Sequence, residues 1–416
     1  MQLPERGKPA HEILATLAEK RARDARWREG RTFGMVYDGG PEVHEIAEAV
    51  AREFLHENAL NTKAFPSLGE IQSEVCGWTA SLLHGDANVA GFMTSGGTES
   101  ILCAVKAARE RARAERGVTA PEIVLANSAH AAFHKAAHYF GLATRCVPVG
   151  ADYRADVPAM AACVNANTAL VVGSAPQYPQ GVVDPIPALA ELAQSVGASL
   201  HVDACMGGFL LPFAERLGHA IPPFDFRVPG VTTISADLHK LGYAPKGASV
   251  ILHRTKQLRQ YQTFVFDAWL GGLYASPNLQ GTRAGLPMAC AWAVMQRLGI
   301  EGYERLTRVT LDTRDRMLAA IRAVPGLEVL GAPEAQIVAF RAQPASGIDA
   351  FALGDALRAR GGGFHDRTPP PDSLHSTVCA ANAPVIEAWA RDLAACVEQL
   401  SGKRAADRST SYATLD

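Results

Sequence analysis

The sequence predicts an α/β protein with two parts: a large domain on a mostly parallel sheet and a smaller C-terminal α+β domain. Three observations lead there. Between residues 122 and 252, apolar β-branched runs alternate with helix-period stretches, as strand–helix–strand units require. The 416 residues, 48% of them hydrophobic, exceed what one small core can use. Polar residues able to do chemistry fall at the ends of the strand-like runs, where ligands collect in such sheets.

Residues 11–29 alternate apolar and charged positions at helical spacing and carry Arg21, Arg23, Arg26 and Arg28. Asp24 and Glu29 dilute that charge, so a solvated helix strapped to a partner or to the main domain is expected, not a lipid-surface helix. Helices are expected over 42–57 and 68–83, separated by the irregular polar loop Asn58–Pro66. Next comes Gly91-Phe92-Met93-Thr94-Ser95-Gly96-Gly97-Thr98, which opens a long helix over 100–116. Strands are then expected at 122–126, 144–148, 169–174, 199–203, 231–235 and 248–252, with helices at 131–141, 157–165 and 187–196 between them. The expected divisions are a helical segment (1–60), the large domain (61–285), the small domain (286–402) and a polar, disordered tail (403–416).

A net charge of −2 gives no electrostatic reason to expect nucleic acid or an anionic membrane as partner. No run of 18 apolar residues and no signal-peptide layout is present, so a soluble, cytoplasmic chain without a transmembrane segment is expected. The eight cysteines are scattered with no CxxC pair, which argues for reduced packing residues and against a metal knuckle.

Three motifs carry chemistry. Glycines at a helix entry, Gly96 and Gly97, let backbone N–H groups and the Thr98 hydroxyl face an anion with the helix dipole behind them. An ordinary helix start capped by Ser95 or Thr98 is the alternative. Asp203 ends the apolar strand 199–203, where a carboxylate needs a cation or several donors. Past the strand VTTIS lie His239 and Lys240, and then a Gly/Pro-punctuated loop with Lys246. Burial and a neighbouring cation are expected to lower the pKa of Lys240, freeing an amine that can condense with a carbonyl. In this order and spacing the three motifs match pyridoxal 5′-phosphate (PLP): Gly96, Gly97 and Thr98 for the phosphate, Asp203 for the ring nitrogen, Lys240 for the aldehyde. His130, His134 and His138 share one helix face. No fourth ligand supports a metal there, so His130 is expected flat on the pyridine ring and the other two at the helix surface.

The stretches TSGGTESIL, SAHAAFHKAAHYFG, HVDACMGGFL, ADLHKLGYAPKG and GGLYASPNLQGTRAG resemble the sphingosine-1-phosphate lyases, a branch of the PLP-dependent group II decarboxylase superfamily. The resemblance runs over roughly residues 33–400 and is densest between 91 and 285. It implies the fold type I, aspartate aminotransferase-like architecture and a homodimer with shared active sites. It also implies retro-aldol cleavage of a phosphorylated sphingoid base to a fatty aldehyde and phosphoethanolamine. Carried across, Lys240 holds the cofactor covalently, Asp203 pairs with the pyridinium and His130 stacks on the ring. Gly97, Thr98 and His239 bind the cofactor phosphate, joined by Thr282 from the other subunit. Tyr178 and Cys205 fall near the cofactor, while Tyr37 and Lys246 match residues around the substrate phosphate and in proton transfer. Tyr178, Lys246 and Lys240 all remain open as proton carriers.

This sequence departs from the family in places. Asn61 stands where the family has a histidine; it can donate a hydrogen bond but cannot shuttle a proton. Thr282 replaces a common serine and keeps the hydroxyl. The resemblance implies a membrane anchor only for the eukaryotic members, and none is expected here. Two other functions fit the same motifs: an amino-acid decarboxylase, and a PLP-binding protein without turnover. His365, Arg367 and His375, in a Pro-rich C-terminal stretch, are expected at the surface.

Overall fold

The computed structural model describes residues 2–361, 363–400 and 402–410. Seven strands make the central sheet: β1 (Ala90–Thr94), β2 (Glu122–Ala126), β3 (Ala143–Val147), β4 (Thr168–Ser174), β5 (Ser199–Asp203), β6 (Val231–Ala236) and β7 (Ser249–His253). Their order is β1-β7-β6-β5-β4-β2-β3. β7 runs antiparallel to both of its neighbours, and the remaining pairs are parallel. Helices cover both faces, so β2, β4 and β5 are buried along their whole length. That is why they read as continuous apolar runs, not as alternating patterns. The strands predicted at 122–126 and 199–203 have those bounds in the structure.

Four helices lead into the sheet: α1 (Ala10–Arg21), α2 (Pro41–Glu53), α3 (Pro66–Leu82) and α4 (Gly97–Arg116). Helix α1 buries none of its residues and exposes Ile13, Leu14 and Leu17. It stops at Arg21, short of the predicted residue 29, and only a single turn follows at Trp27–Glu29. Along α4, Ile101, Val105, Ala108 and Ala112 form one buried stripe at helical spacing. No helix among the described residues is long and apolar enough to cross a membrane.

After β7 an antiparallel hairpin, β8 (Phe264–Phe266) and β9 (Tyr274–Ser276), projects an apolar tip into solvent. A long helix, Gly285–Ala323, breaks at Gly299, whose φ of 53° no helix accommodates, and leads to the small domain. There β10 (Leu327–Leu330), β11 (Ile337–Ala342), β12 (Asp366–Thr368) and β13 (Ser373–Thr377) form an antiparallel sheet in the order β10-β11-β13-β12. Helices Ala350–Ala359 and Ile386–Gln399 complete its core around Trp389 and Phe340. Phe33, far away in sequence, is buried in that same core. Its backbone bonds to Phe364 and Thr377.

The expectation that His365, Arg367 and His375 lie at the surface needs correction. His365 and His375 are not surface residues: both are buried, because β12, β13 and the Trp389 helix close over them. Arg367 is largely covered too, paired with Asp355. In the segment expected to be a disordered tail, Arg408 pairs with Asp349 at 2.6 Å; residues 411–416 lie outside the described residues.

Candidate active site

A cavity of about 310 Å³ opens beyond the carboxyl ends of β4, β5 and β6. Its wall is the start of α4, its floor the residues after β6, and one side the loop after β4. Gly96, Gly97, Thr98, His130, Tyr178, Asp203, Cys205, His239 and Lys240 all line it. Five segments distant in sequence therefore meet at one place, as the strand-end rule for parallel sheets requires.

Each group is fixed by its local structure. Gly96 is the N-cap of α4 and no side chain caps the helix. Ser95 instead gives its N–H and hydroxyl to the Glu99 carboxylate, at 2.7 and 2.8 Å. The first N–H groups of α4 thus have no side-chain cap and face the cavity. A Cβ on Gly97 would lie 2.8 Å from Cys205 Sγ and 2.9 Å from Asp237 Oδ2, so only glycine fits. Asp203 Oδ1 accepts from the Cys205 N–H at 3.0 Å and from the Ser235 hydroxyl at 3.3 Å. His130 Nδ1 accepts the Ala132 N–H at 3.1 Å, which puts its ring hydrogen on Nε2. Burial lowers the pKa of His130, partly opposed by Asp203, and favours a neutral ring. His239 Nδ1 accepts two backbone N–H groups, from Gly247 and Ala248, both at 3.2 Å. Its Nε2–H is left as the donor.

The floor holds a residue that the sequence reading missed. Asp237 is buried, and its Oδ2 lies 2.9 Å from Lys240 Nζ and 3.6 Å from His239 Nε2. Its Oδ1 is buried with no hydrogen-bond partner. Burial opposes the charge on both partners, but their mutual attraction wins. Asp237 is held well below the usual carboxylate range, and the Lys240 ammonium is held above its ordinary value. The expected lowering of the Lys240 pKa is therefore wrong for the cofactor-free chain. The signal is in the sequence, since Asp237 stands three residues before Lys240 in Asp237-Leu238-His239-Lys240.

Two more predicted residues lie beside the cavity. Lys246 Nζ donates to the His239 carbonyl at 3.1 Å and sits 4.8 Å from the Tyr37 ring centroid. Desolvation, aided by the Lys240 cation, pulls the Lys246 amine down to about 8. Tyr37 Oη lies 4.0 Å from Met206 Sδ, and Met206 lines the cavity. Within one chain, Asn61 and Thr282 are not brought to the cavity. Both are exposed, and Asn61 Oδ1 accepts the Lys63 N–H at 2.9 Å. Their segments adjoin each other through a bridge between Asn58 and Ala284. His134 and His138 are exposed on their helix, and no group of potential metal ligands occurs among the described residues.

These residues fit PLP. The uncapped helix start backed by Gly97 offers an anion cradle, and the Asp203 carboxylate, the His130 imidazole and the Lys240 amine line a space of suitable size. Asp366 is a second residue the sequence reading missed. It reaches in from the small domain to the Tyr178 hydroxyl, at 3.0 Å. Nothing in its Pro-rich surroundings signals this contact, which only the packing of the domains creates.

Comparison with known proteins agrees with this geometry. Residues 25–343 match the family model described as the pyridoxal-dependent decarboxylase conserved domain. A sphingosine-1-phosphate lyase of Oryza sativa is 40% identical over 92% of this chain and 72% of its own length. The corresponding Rattus norvegicus protein is 42% identical over 87% of this chain, which spans 63% of that longer protein. The solved structure of a Burkholderia pseudomallei sphingosine-1-phosphate lyase superposes with a TM-score of 0.92 at 40% identity, covering 96% of this chain and 93% of that one. The architecture is fold type I, and the cofactor is PLP.

Proposed function

This chain belongs to the sphingosine-1-phosphate lyase branch of the pyridoxal-dependent decarboxylase family, and from that premise we propose how its cavity works. The reaction is retro-aldol cleavage of sphingosine-1-phosphate, or a closely related phosphorylated sphingoid base, to a fatty aldehyde and phosphoethanolamine. The observation that carries this reading is the meeting of Lys240, Asp203, His130 and the Gly97 helix start in one cavity.

When bound, PLP supplies an electron sink for the carbanion left as the carbon–carbon bond breaks. Lys240 would hold its aldehyde, Asp203 its ring nitrogen and His130 its face. Gly96, Gly97, Thr98 and His239 would hold its phosphate. Cys205 packs against the Gly97 side of that cradle, and its thiol stays protonated because burial raises its pKa. The substrate must lose its hydroxyl proton, and a proton must later reach the amine-bearing carbon. Tyr178, half-buried in the cavity wall, is the group that meets this hydroxyl. Lys246, with a pKa near 8, can hold or release a proton close to neutral pH and serves with Tyr37 at the substrate phosphate.

The working unit is a homodimer in which Asn61 and Thr282 come from the second copy. Supporting this, both are exposed on adjoining segments, and the nearby hairpin exposes Phe264, Val265, Trp269, Leu270 and Leu273, an apolar surface of the kind that marks an interface. All eight cysteines are free thiols, which fits a reducing, cytoplasmic setting.

The test is aldehyde release by purified protein with PLP, from sphingosine-1-phosphate against the unphosphorylated base. Release from the phosphorylated compound alone is expected. Lys240→Ala is expected to lose the cofactor absorbance and to cut release by about 10⁴-fold. Release of CO₂ from amino acids with no aldehyde would replace this reading with a decarboxylase.

A further inference from the structure

Tyr178 is held from behind by two small-domain residues. Its hydroxyl donates to Asp366 Oδ2 at 3.0 Å, and its ring packs on His375 with centroids 4.2 Å apart. His375 Nε2 lies 2.9 Å from the Tyr178 carbonyl. A carbonyl can only accept, so the imidazole hydrogen is on Nε2 and Nδ1 is bare. That bare Nδ1 is buried without a partner and faces Asp366 Oδ2 at 4.0 Å. Tyr178 lines the cavity, whereas Asp366 and His375 do not.

We propose that Asp366 is a positioning residue for the reaction: it holds the Tyr178 hydrogen on the side away from the cavity, so that as the phenol oxygen takes the substrate hydroxyl's proton its own hydrogen passes to Asp366 Oδ2. The inference rests on the reading of Tyr178 as the group that meets that hydroxyl. A phenol whose hydrogen is engaged behind it is an acceptor in front. His375 holds the other end of the same residue by its backbone, so ring and hydroxyl are both set by the small domain. Among charged and titratable groups, Asp366 faces Tyr178, His375 from β13, and Arg358 from the helix Ala350–Ala359. Burial raises the Asp366 pKa, opposed by the Tyr178 hydrogen bond and by Arg358. The small domain therefore carries part of the active site without touching the cavity.

The test compares Asp366→Asn, Tyr178→Phe and the double variant in the PLP-loaded protein. Asp366→Asn is expected to lower kcat about 10- to 100-fold with KM unchanged. The double variant is expected to be no slower than Tyr178→Phe alone. An independent readout is the ¹⁹F spectrum of 3-fluorotyrosine-labelled protein, in which the resonance lost in Tyr178→Phe identifies this one of the nine tyrosines. Removing the adjacent negative charge in Asp366→Asn should lower the pH at which that phenol ionises. An unchanged titration, or rate losses that multiply in the double variant, would overturn the role of Asp366. If Tyr178→Phe keeps the full rate, the reading of Tyr178 fails instead, and the titration still decides whether Asp366 holds it.

Discussion

The floor of the cavity and the core of the small domain both bury groups that titrate, and they handle the electrostatic problem in opposite ways. Beneath the cavity, Asp237 and Lys240 stay ionised and meet at 2.9 Å, each compensating the other's desolvation. In the small domain, His365 and His375 shed their charge. Trp389 Nε1–H donates to His365 Nε2 at 2.9 Å, so Nδ1–H of the neutral ring donates to Ser376 Oγ at 2.7 Å. Burial pushes His365 down to about 3 and His375 down to about 4. Charge is retained beneath the cavity, where a cofactor and substrate can use it, and shed by the two histidines buried in the small domain.

The sharpest way to break this comparison is to split the ion pair. Asp237→Ala strands the Lys240 cation and is expected to destabilise the cofactor-free protein by about 3–5 kcal/mol. The double variant Asp237→Leu/Lys240→Met is expected to recover most of that loss in urea denaturation. A double variant as unstable as the single one would mean that the two charges are not coupled.

Acid probes the other side. The folded pKa values of His365 and His375 lie below the ordinary 6.5. Between about pH 4 and 6.5 the unfolded chain binds more protons than the folded one, so stability falls as pH falls through that window. Each histidine contributes about 1.4 kcal/mol per pH unit there. His375→Gln should flatten the slope by one proton; a slope identical to that of the parent protein would show that this ring does not stay neutral. The mildest change is at the rim. Asn61→His adds a titratable group at an exposed position and is expected to alter stability by less than about 0.5 kcal/mol. In the assembled dimer it should add an ionisation to the pH profile of aldehyde release, and an unaltered profile would leave Asn61 silent.

The sheet was legible in the sequence wherever a strand is buried on both faces, because runs such as VTTIS and SLHVD have one reading and end in polar residues. For the same reason Asp203, His239 and Lys240 could be found. β1 was not legible, since Gly91 interrupts a five-residue strand directly before the glycine helix entry. The hairpin β8–β9 was missed because its apolar residues serve no core within one chain. The histidines of the small domain misled for a different cause. Their Pro-rich neighbours suggest surface, while their burial depends on partners such as Trp389 and Tyr178, distant in sequence and signalled by no local period.

Phe33 has a consequence for how the molecule is made. Its backbone pairs with Phe364 and Thr377, so its place in the small-domain core does not exist until more than three hundred further residues have been synthesised. At about 5–20 residues per second, that is tens of seconds during which an aromatic side chain waits outside the ribosome with nothing to cover it. The central sheet can assemble in that interval, but the small domain cannot close until the beginning of the chain returns to meet its end.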